Sequence, residues 1–375
     1  MANMIDYVRS FGNVSFSAAP FNEIDGVILS QLAYLNFECL NDSNIRTLKR
    51  LNNIKTVQEI VKGTWNPTAN LDLVIALSSS NRFKNISWSD WKTRLDHKSE
   101  EQFSAVTFLI DNQLYFISYR GTTATTIDWK EDLNMTFMDA IPSQKSALRY
   151  FNEISSKYRG NFILGGHSKG GNLAAYVVTH SSNDNKHRII HAFSVDGPGL
   201  NEPISGFDRQ IIRKLIPEAS IIGLLLEPET NYQVVESVAK GFKQHDPFSW
   251  NVYQNQFVTL TSVNELSDHT HNSVNRWLNS LDEQTRQEFL DSLFALFKET
   301  NSIKFSELSH DWQQTLKLLI TELGDVNLET KNNWRFVTNQ LVSSFAAEFK
   351  YSIRNDLQNK QSALIAKVKQ THPFK

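Results

Sequence analysis

The chain has 375 residues, 40% of them hydrophobic and 21% charged, which suits a globular protein with a large core in one elaborated domain or two. Its 38 basic and 40 acidic residues leave a formal net charge of -2, so no overall field draws it to nucleic acid or to an anionic membrane. One cysteine, Cys39, excludes an internal disulfide and reads as a small buried residue on a helix.

The opening residues, Met1 to Asp6, lack a charged stretch followed by an apolar one, so they do not read as a signal peptide. No run of about 18 apolar residues reads as a membrane span. The expectation is a cytoplasmic protein without a transmembrane segment. From Asn22 to Leu35, Ile24, Val27, Ile28, Leu32 and Leu35 recur at helical spacing and give one buried face. A second helix is expected from Asn53 to Lys62, closed by Gly63 and Pro67, and a third from Leu71 to Leu77. The stretch around Trp88 and Trp91 is polar and aromatic and gives no clear period.

Beyond it the pattern changes. Ser104 to Ile110 and Gln113 to Tyr119 are β-rich runs flanking Asp111-Asn112, which reads as a hairpin. Ser143 to Lys157 reads as a helix, Asn161 to Leu164 as a strand and the segment from Gly171 as a helix. Arg188 to Val195 reads as a strand ending at Asp196-Gly197-Pro198-Gly199. Phe207 to Leu215 is expected to be helical. Ser220 to Leu226, ending at Glu227, and Tyr232 to Ser237 are expected to be strands. Strands alternating with helices imply an α/β fold with a mostly parallel sheet flanked by helices. From about Ser273 the chain reads helical, with a capping box at Ser280 and a polar, basic end. The expected organisation is an N-terminal helical segment over 1–100, an α/β core over 101–270 and a C-terminal helical region over 271–375.

Gly166-His167-Ser168-Lys169-Gly170 sits between the strand from Asn161 and the helix from Gly171. That is the setting of a nucleophile elbow, where a strained strand-to-helix turn exposes a serine and flanking glycines let the two elements approach. The pentapeptide alone also fits a Gly/Ser-rich loop with no chemistry. A serine hydroxyl needs a base to take its proton and an acid to orient the base. In elbow-type sites the chain order is serine, acid, histidine, each just past the end of a strand. His245 follows the last expected strand and is the natural base. His167 belongs to the turn, and His180, His187 and His191 come too early. Glu227 and Asp196 each end an expected strand and are the two candidate acids. Asp246, beside His245 in the chain, is poorly placed to orient that ring. Oxyanion donors are expected from the backbone of Lys169, at the start of the new helix, and from Thr122 in the Arg120-Gly121-Thr122 loop. His269-Thr270-His271 lacks further ligands at metal spacing, and no phosphate-cradling Gly-rich loop occurs, so neither a metal nor a cofactor is expected.

Tyr119-Arg120-Gly121-Thr122, Asp128-Trp129 with Asp132, and Gly165 through Ala175 resemble the class 3 lipases of the α/β-hydrolase fold. More closely, the chain resembles an uncharacterised bacterial branch of that group. The segments that carry this are Trp129 to Met135, His167 to Ala174, Asp196 to Gly199 and Gln244 to Trp250. The resemblance implies an α/β-hydrolase fold with added N-terminal and C-terminal helices, and a serine esterase or lipase-like hydrolase acting through an acyl-enzyme. It implies Ser168 as nucleophile, His245 as base, and Thr122 and Lys169 as oxyanion donors. A thioester or amide substrate fits the same residues as a small-molecule or lipid ester does. Two departures stand out: Lys169 replaces the usual apolar residue after the serine, placing a cation near the expected site entrance, and Glu227 stands where the lipases usually have an Asp farther from their His. Met135, Phe137, Met138 and Ile141 fit either an acyl-chain wall or lid, or ordinary packing. A different class of function, a non-catalytic hydrolase-like protein binding a partner through its C-terminal helices, uses the region from Ser273.

Overall fold

The computed structural model describes residues 2–40, 46–96, 98–122, 131, 135, 138–220, 222–226 and 231–264. The chain divides into two compact units, 1–298 and 299–375, and all the described residues belong to the first. The expected C-terminal helices, the Ser280 capping box and the His269-Thr270-His271 cluster lie outside the described residues.

Four helices precede the sheet: α1 (Met4–Phe11), α2 (Glu23–Gln31), α3 (Ile54–Ile60) and α4 (Pro67–Ser79). Each starts at an asparagine whose side chain accepts backbone N–H groups of the first turn: Asn3, Asn22, Asn53 and Asn66. Such caps satisfy donors that have no partner inside the helix. α4 is longer than its apolar core suggests, because Pro67 occupies the first turn, where its missing N–H removes nothing. Cys39 lies in a 3-10 turn, Phe37–Leu40, and is exposed rather than buried, since Phe37 and Leu40 take the inward positions.

The main sheet has eight strands in the order β1-β2-β3-β4-β5-β6-β7-β10. They are β1 (Ser87–Asp96), β2 (Glu101–Asp111), β3 (Leu114–Tyr119), β4 (Asn161–His167), β5 (Ile189–Val195), β6 (Ile212–Pro217), β7 (Gln233–Val235) and β10 (Thr259–Leu260). Two short strands, β8 (Val252–Tyr253) and β9 (Gln256–Phe257), pair separately. The strands β3 to β7 run parallel, and the antiparallel pairs lie at the edges. Between them come α5 (Pro142–Lys157), α6 (Lys169–His180), the short α7 (Asn183–Lys186) and α8 (Gly206–Ile211). This is an α/β fold with a mostly parallel sheet.

Alternating residues of each central strand feed opposite faces. Phe116, Ile163 and Phe193 join the core under α1 to α4, while Ile117, Phe162, Leu164 and Ala192 join the core under α5 and α6. Within the first layer, Asp25 of α2 is fully buried and is held by the Arg82 guanidinium, with Arg82 Nε at 2.9 Å, and by the Tyr7 hydroxyl at 2.9 Å. Burial pushes the Asp25 carboxyl up, while the Arg82 bonds pull it back.

Three further expectations change. The Trp88 region is β1, an edge strand whose period is broken by a bulge between Ser89 and Lys92, with Asp90 at φ 53°. The helix expected over Phe207 to Leu215 stops at Ile211, and the chain continues as β6. Ile211, Ile212, Leu215 and Ile216 satisfy a helical period. The slot between β5 and β7 makes Ile212, Leu215 and Ile216 buried strand residues instead, with Val195 opposite Leu215 and Leu215 opposite Gln233. The strand expected over Ser220 to Leu226 is a 3-10 turn at Ile222–Leu224, because β6 has already filled that place in the sheet.

Candidate active site

β4 and β5 lie side by side with His167 opposite Val195, so the next residues, Ser168 and Asp196, leave neighbouring strand ends together. Ser168 is the cap residue of α6 and has φ 57° and ψ -130°. Non-glycine residues rarely adopt positive φ, and the strain is retained where the surrounding structure over-determines it. The turn is held by the Ser168 N–H donating to Val195 O at 2.9 Å and the Gly171 N–H donating to Ser168 O at 2.9 Å. A side chain on Gly166 or Gly170 would strike backbone: the Gly170 carbonyl group in the first case, Tyr119 O in the second. Those glycines let β4 and α6 meet.

Asp196 is buried, and its N–H donates to Leu215 O at 2.8 Å. Its Oδ2 lies 2.7 Å from His245 Nδ1, and its Oδ1 accepts the Ser220 hydroxyl. Ser220 in turn accepts the Gly223 N–H at 3.0 Å. A carboxylate oxygen facing Nδ1 places the ring proton on Nδ1 and leaves Nε2 as the basic atom. His245 ends the 3-10 turn Gly241–His245 and keeps 14% of its side chain exposed. Its loop is tied down on several sides. Trp250 Nε1 donates to Gln244 O at 2.7 Å, the Ala219 N–H donates to Gln244 Oε1 at 2.8 Å, and Asn66 Nδ2 donates to Asp246 Oδ2 at 3.0 Å. Burial pushes the Asp246 carboxyl up; its two oxygens serve Asn66 and the Phe248 N–H, not the His245 ring.

Asp196, one of the two candidate acids, is in contact with His245. Glu227 lies outside the described residues, and the strand expected to deliver it is the turn at Ile222–Leu224.

The end of β3 reaches the same place. A Cβ on Gly121 would collide with the Tyr34 hydroxyl and His167 O and would stand 3.1 Å from Ser168 Cβ. Only a glycine allows the backbone leading into Thr122 to pass so near Ser168. Lys169 supplies its N–H at the first turn of α6, beside Ser168.

The Lys169 side chain is not at an entrance. It is buried, with Nζ 2.9 Å from Glu131 Oε2 and 3.2 Å from Gln102 O. Glu131 is also buried and accepts the N–H groups of Gln102 at 3.1 Å and Ser143 at 2.8 Å. A cation with that many acceptors repays burial that a lone ammonium could not. Gln102, Ser220 and Tyr34 carry no sequence signal, and Glu131, though inside the Trp129 to Met135 segment, shows no role there, because each acts through a partner distant in the chain. Met135 and Ile141 are buried, while Phe137 lies outside the described residues. Among the described residues no group of His, Cys, Asp and Glu could hold a metal ion, and no helix is long and apolar enough to cross a membrane.

Residues 77–295, more than half of the chain, match the family model described as Mbeg1-like. The chain belongs to the Mbeg1-like family. The matched segment runs from the end of α4 through Thr122, Ser168, Lys169, Asp196 and His245, while Tyr34 and Asn66 lie before it. No curated protein matches the chain. Among solved structures, the Mbeg1-like chain is similar to one titled "Crystal structure of M37 lipase", at 16% identity and a TM-score of 0.31, over 54% of this chain and 70% of that one.

Proposed function

We propose that this Mbeg1-like protein is a serine hydrolase of the α/β-hydrolase type that cleaves carboxylic esters through an acyl-enzyme. The observation that carries the reading is the 2.7 Å contact between His245 Nδ1 and Asp196 Oδ2 beside a serine held at positive φ. In this reading Ser168 Oγ attacks the acyl carbon as His245 Nε2 takes its proton, and the Asp196 carboxylate stabilises the imidazolium. The N–H groups of Thr122 and Lys169 receive the developing oxyanion, an arrangement worth about 3–4 kcal/mol per donor in comparable sites. The imidazolium then protonates the leaving alcohol, and water repeats the sequence in reverse to release the acid. Met135 and Ile141 are proposed to pack behind the acyl chain.

A fluorophosphonate probe tests this directly. The wild-type protein is expected to label at one site, with labelling abolished in Ser168→Ala. Hydrolysis of a short-chain p-nitrophenyl ester is expected to fall by about 10³- to 10⁴-fold in Asp196→Asn, which leaves the ring without its anionic partner. A panel of acyl lengths then defines the substrate range. Labelling that survives in Ser168→Ala overturns the assignment, and a wild-type protein inert to both reagents favours a non-catalytic, partner-binding role.

A further inference from the structure

His167 precedes the proposed nucleophile and is buried, yet it takes no part in the proton path above. Both of its ring nitrogens are engaged. Nε2 lies 2.8 Å from His245 O, and Nδ1 lies 3.0 Å from the Tyr34 hydroxyl. A carbonyl oxygen can only accept, so Nε2 carries the ring proton and donates it to His245 O. Nδ1 then presents a lone pair to the Tyr34 hydroxyl. Burial first, and the neighbouring His245 ring second, hold His167 well below the usual histidine range, which keeps it in this neutral form. The two histidine rings lie with centroids 4.4 Å apart. Tyr34 stands at the end of the 3-10 turn that continues α2, and its hydroxyl also lies 3.3 Å from His167 O.

Asp196 holds the His245 ring at Nδ1, and the direction in which the ring leaves that contact depends on where its backbone lies. His167 grips that backbone at the carbonyl of the same residue. The grip starts from Tyr34, in the N-terminal helical layer, and passes through the residue adjacent to Ser168. Nucleophile and base are thereby referred to one rigid point.

We propose that His167, oriented by Tyr34, is a positioning residue that sets the His245 backbone and with it the angle of the imidazole toward Asp196 and Ser168. The proposal rests on the hydrolase reading for its kinetic consequence, but its structural consequence can be read without any turnover.

The structural readout is the Nδ1 proton of His245, which, bonded to Asp196, gives a strongly downfield proton NMR resonance, assigned by its loss in His245→Gln. In His167→Leu, which removes both ring bonds, that resonance is expected to broaden or move upfield while the melting curve stays cooperative. His167→Gln keeps a donor near the position of Nε2 and is expected to retain the resonance. The kinetic readouts are the fluorophosphonate labelling rate and ester hydrolysis. Small displacements of a reacting group cost up to about 100-fold in rate. His167→Leu is therefore expected to lose about 10- to 100-fold in labelling rate and kcat with KM changed less than about two-fold, and His167→Gln to recover most of that loss. If His167→Leu does not fold, Tyr34→Phe carries the test, with the same resonance weakened and a loss of about 3- to 10-fold expected. An unchanged resonance in a folded His167→Leu or Tyr34→Phe protein overturns the proposal. An inert wild-type protein overturns the hydrolase reading alone, and the resonance still decides the role of His167.

Discussion

Lys169 occupies the position after the proposed nucleophile, where a charged side chain is least expected. Its ammonium escapes the site by lying in a closed polar nest of Glu131 and Gln102. Glu131 joins three elements through that nest: the start of β2 at Gln102, the start of α5 at Ser143, and the start of α6 at Lys169. Lys169→Met leaves the Glu131 carboxylate buried with two N–H donors but no cation. Breaking a buried pair from one side destabilises by about 3–5 kcal/mol, and the two remaining donors put this case near 3 kcal/mol. Urea unfolding reads it, and the double variant Lys169→Met with Glu131→Gln is expected to recover most of the loss. Full stability in Lys169→Met alone would show that the ion pair contributes nothing net.

Among elements, α2 decides how closely the N-terminal layer approaches the sheet. Gly26 faces Phe193 of β5, and a Cβ at Gly26 would stand 2.7 Å from the ring. Alanine is the better helix former by about 1 kcal/mol. The buried ring has the Phe21 ring beside it, at 6.1 Å between centroids. Overpacking of that kind costs about 1–3 kcal/mol, so it outweighs the propensity gain. Gly26→Ala is expected to lower the melting temperature, and Phe193→Leu in the same chain to restore part of it. A higher melting temperature for Gly26→Ala alone would mean that the ring moves aside. The elements themselves were unevenly legible in the sequence. α2, α3, α5, β2 to β5 and β7 carry an uninterrupted apolar period, and their existence follows from it. β1 was hidden by its bulge at Asp90, and β6 by an apolar spacing that suits a helix and a strand equally. Only pairing with β5 and β7 distinguishes the two.

Taken as a folded molecule, the chain buries His167 in neutral form, and this makes its stability depend on pH. In the unfolded chain a histidine takes up a proton as pH falls through about 6.5. The folded form resists protonation at His167, so the unfolded state binds more protons in the window from about 6.5 down to the depressed folded value. Stability contributed there is present above that window and is lost as pH falls through it. Half-buried His191, also held down by burial and by Arg213, acts in the same direction. Asp25, Asp246 and Glu23, whose carboxyls burial pushes up, act in the opposite direction. The difference between variants isolates His167: denaturant unfolding at pH 7 and pH 5.5 is expected to show a smaller loss of stability in His167→Gln than in the wild-type chain. Equal losses in the two would place the protonation elsewhere.

The order of serine and histidine along the chain, the glycines of the turn and the alternation of strand with helix are local properties, and residue types at fixed spacing were enough to reveal them. Which carboxylate meets His245 is a long-range property. From the sequence, Glu227 ranks slightly ahead of Asp196, because it ends the penultimate expected strand. Asp196 reaches His245 because β6 takes the place beside β5, which leaves Ser220, backed by the Gly223 N–H, as a brace for the Asp196 carboxyl. The roles of Tyr34, Glu131 and Asn66 are likewise set by contacts between residues far apart in sequence. A hydrogen bond is decided by where the backbone delivers its two ends, and that delivery is fixed only when the sheet closes.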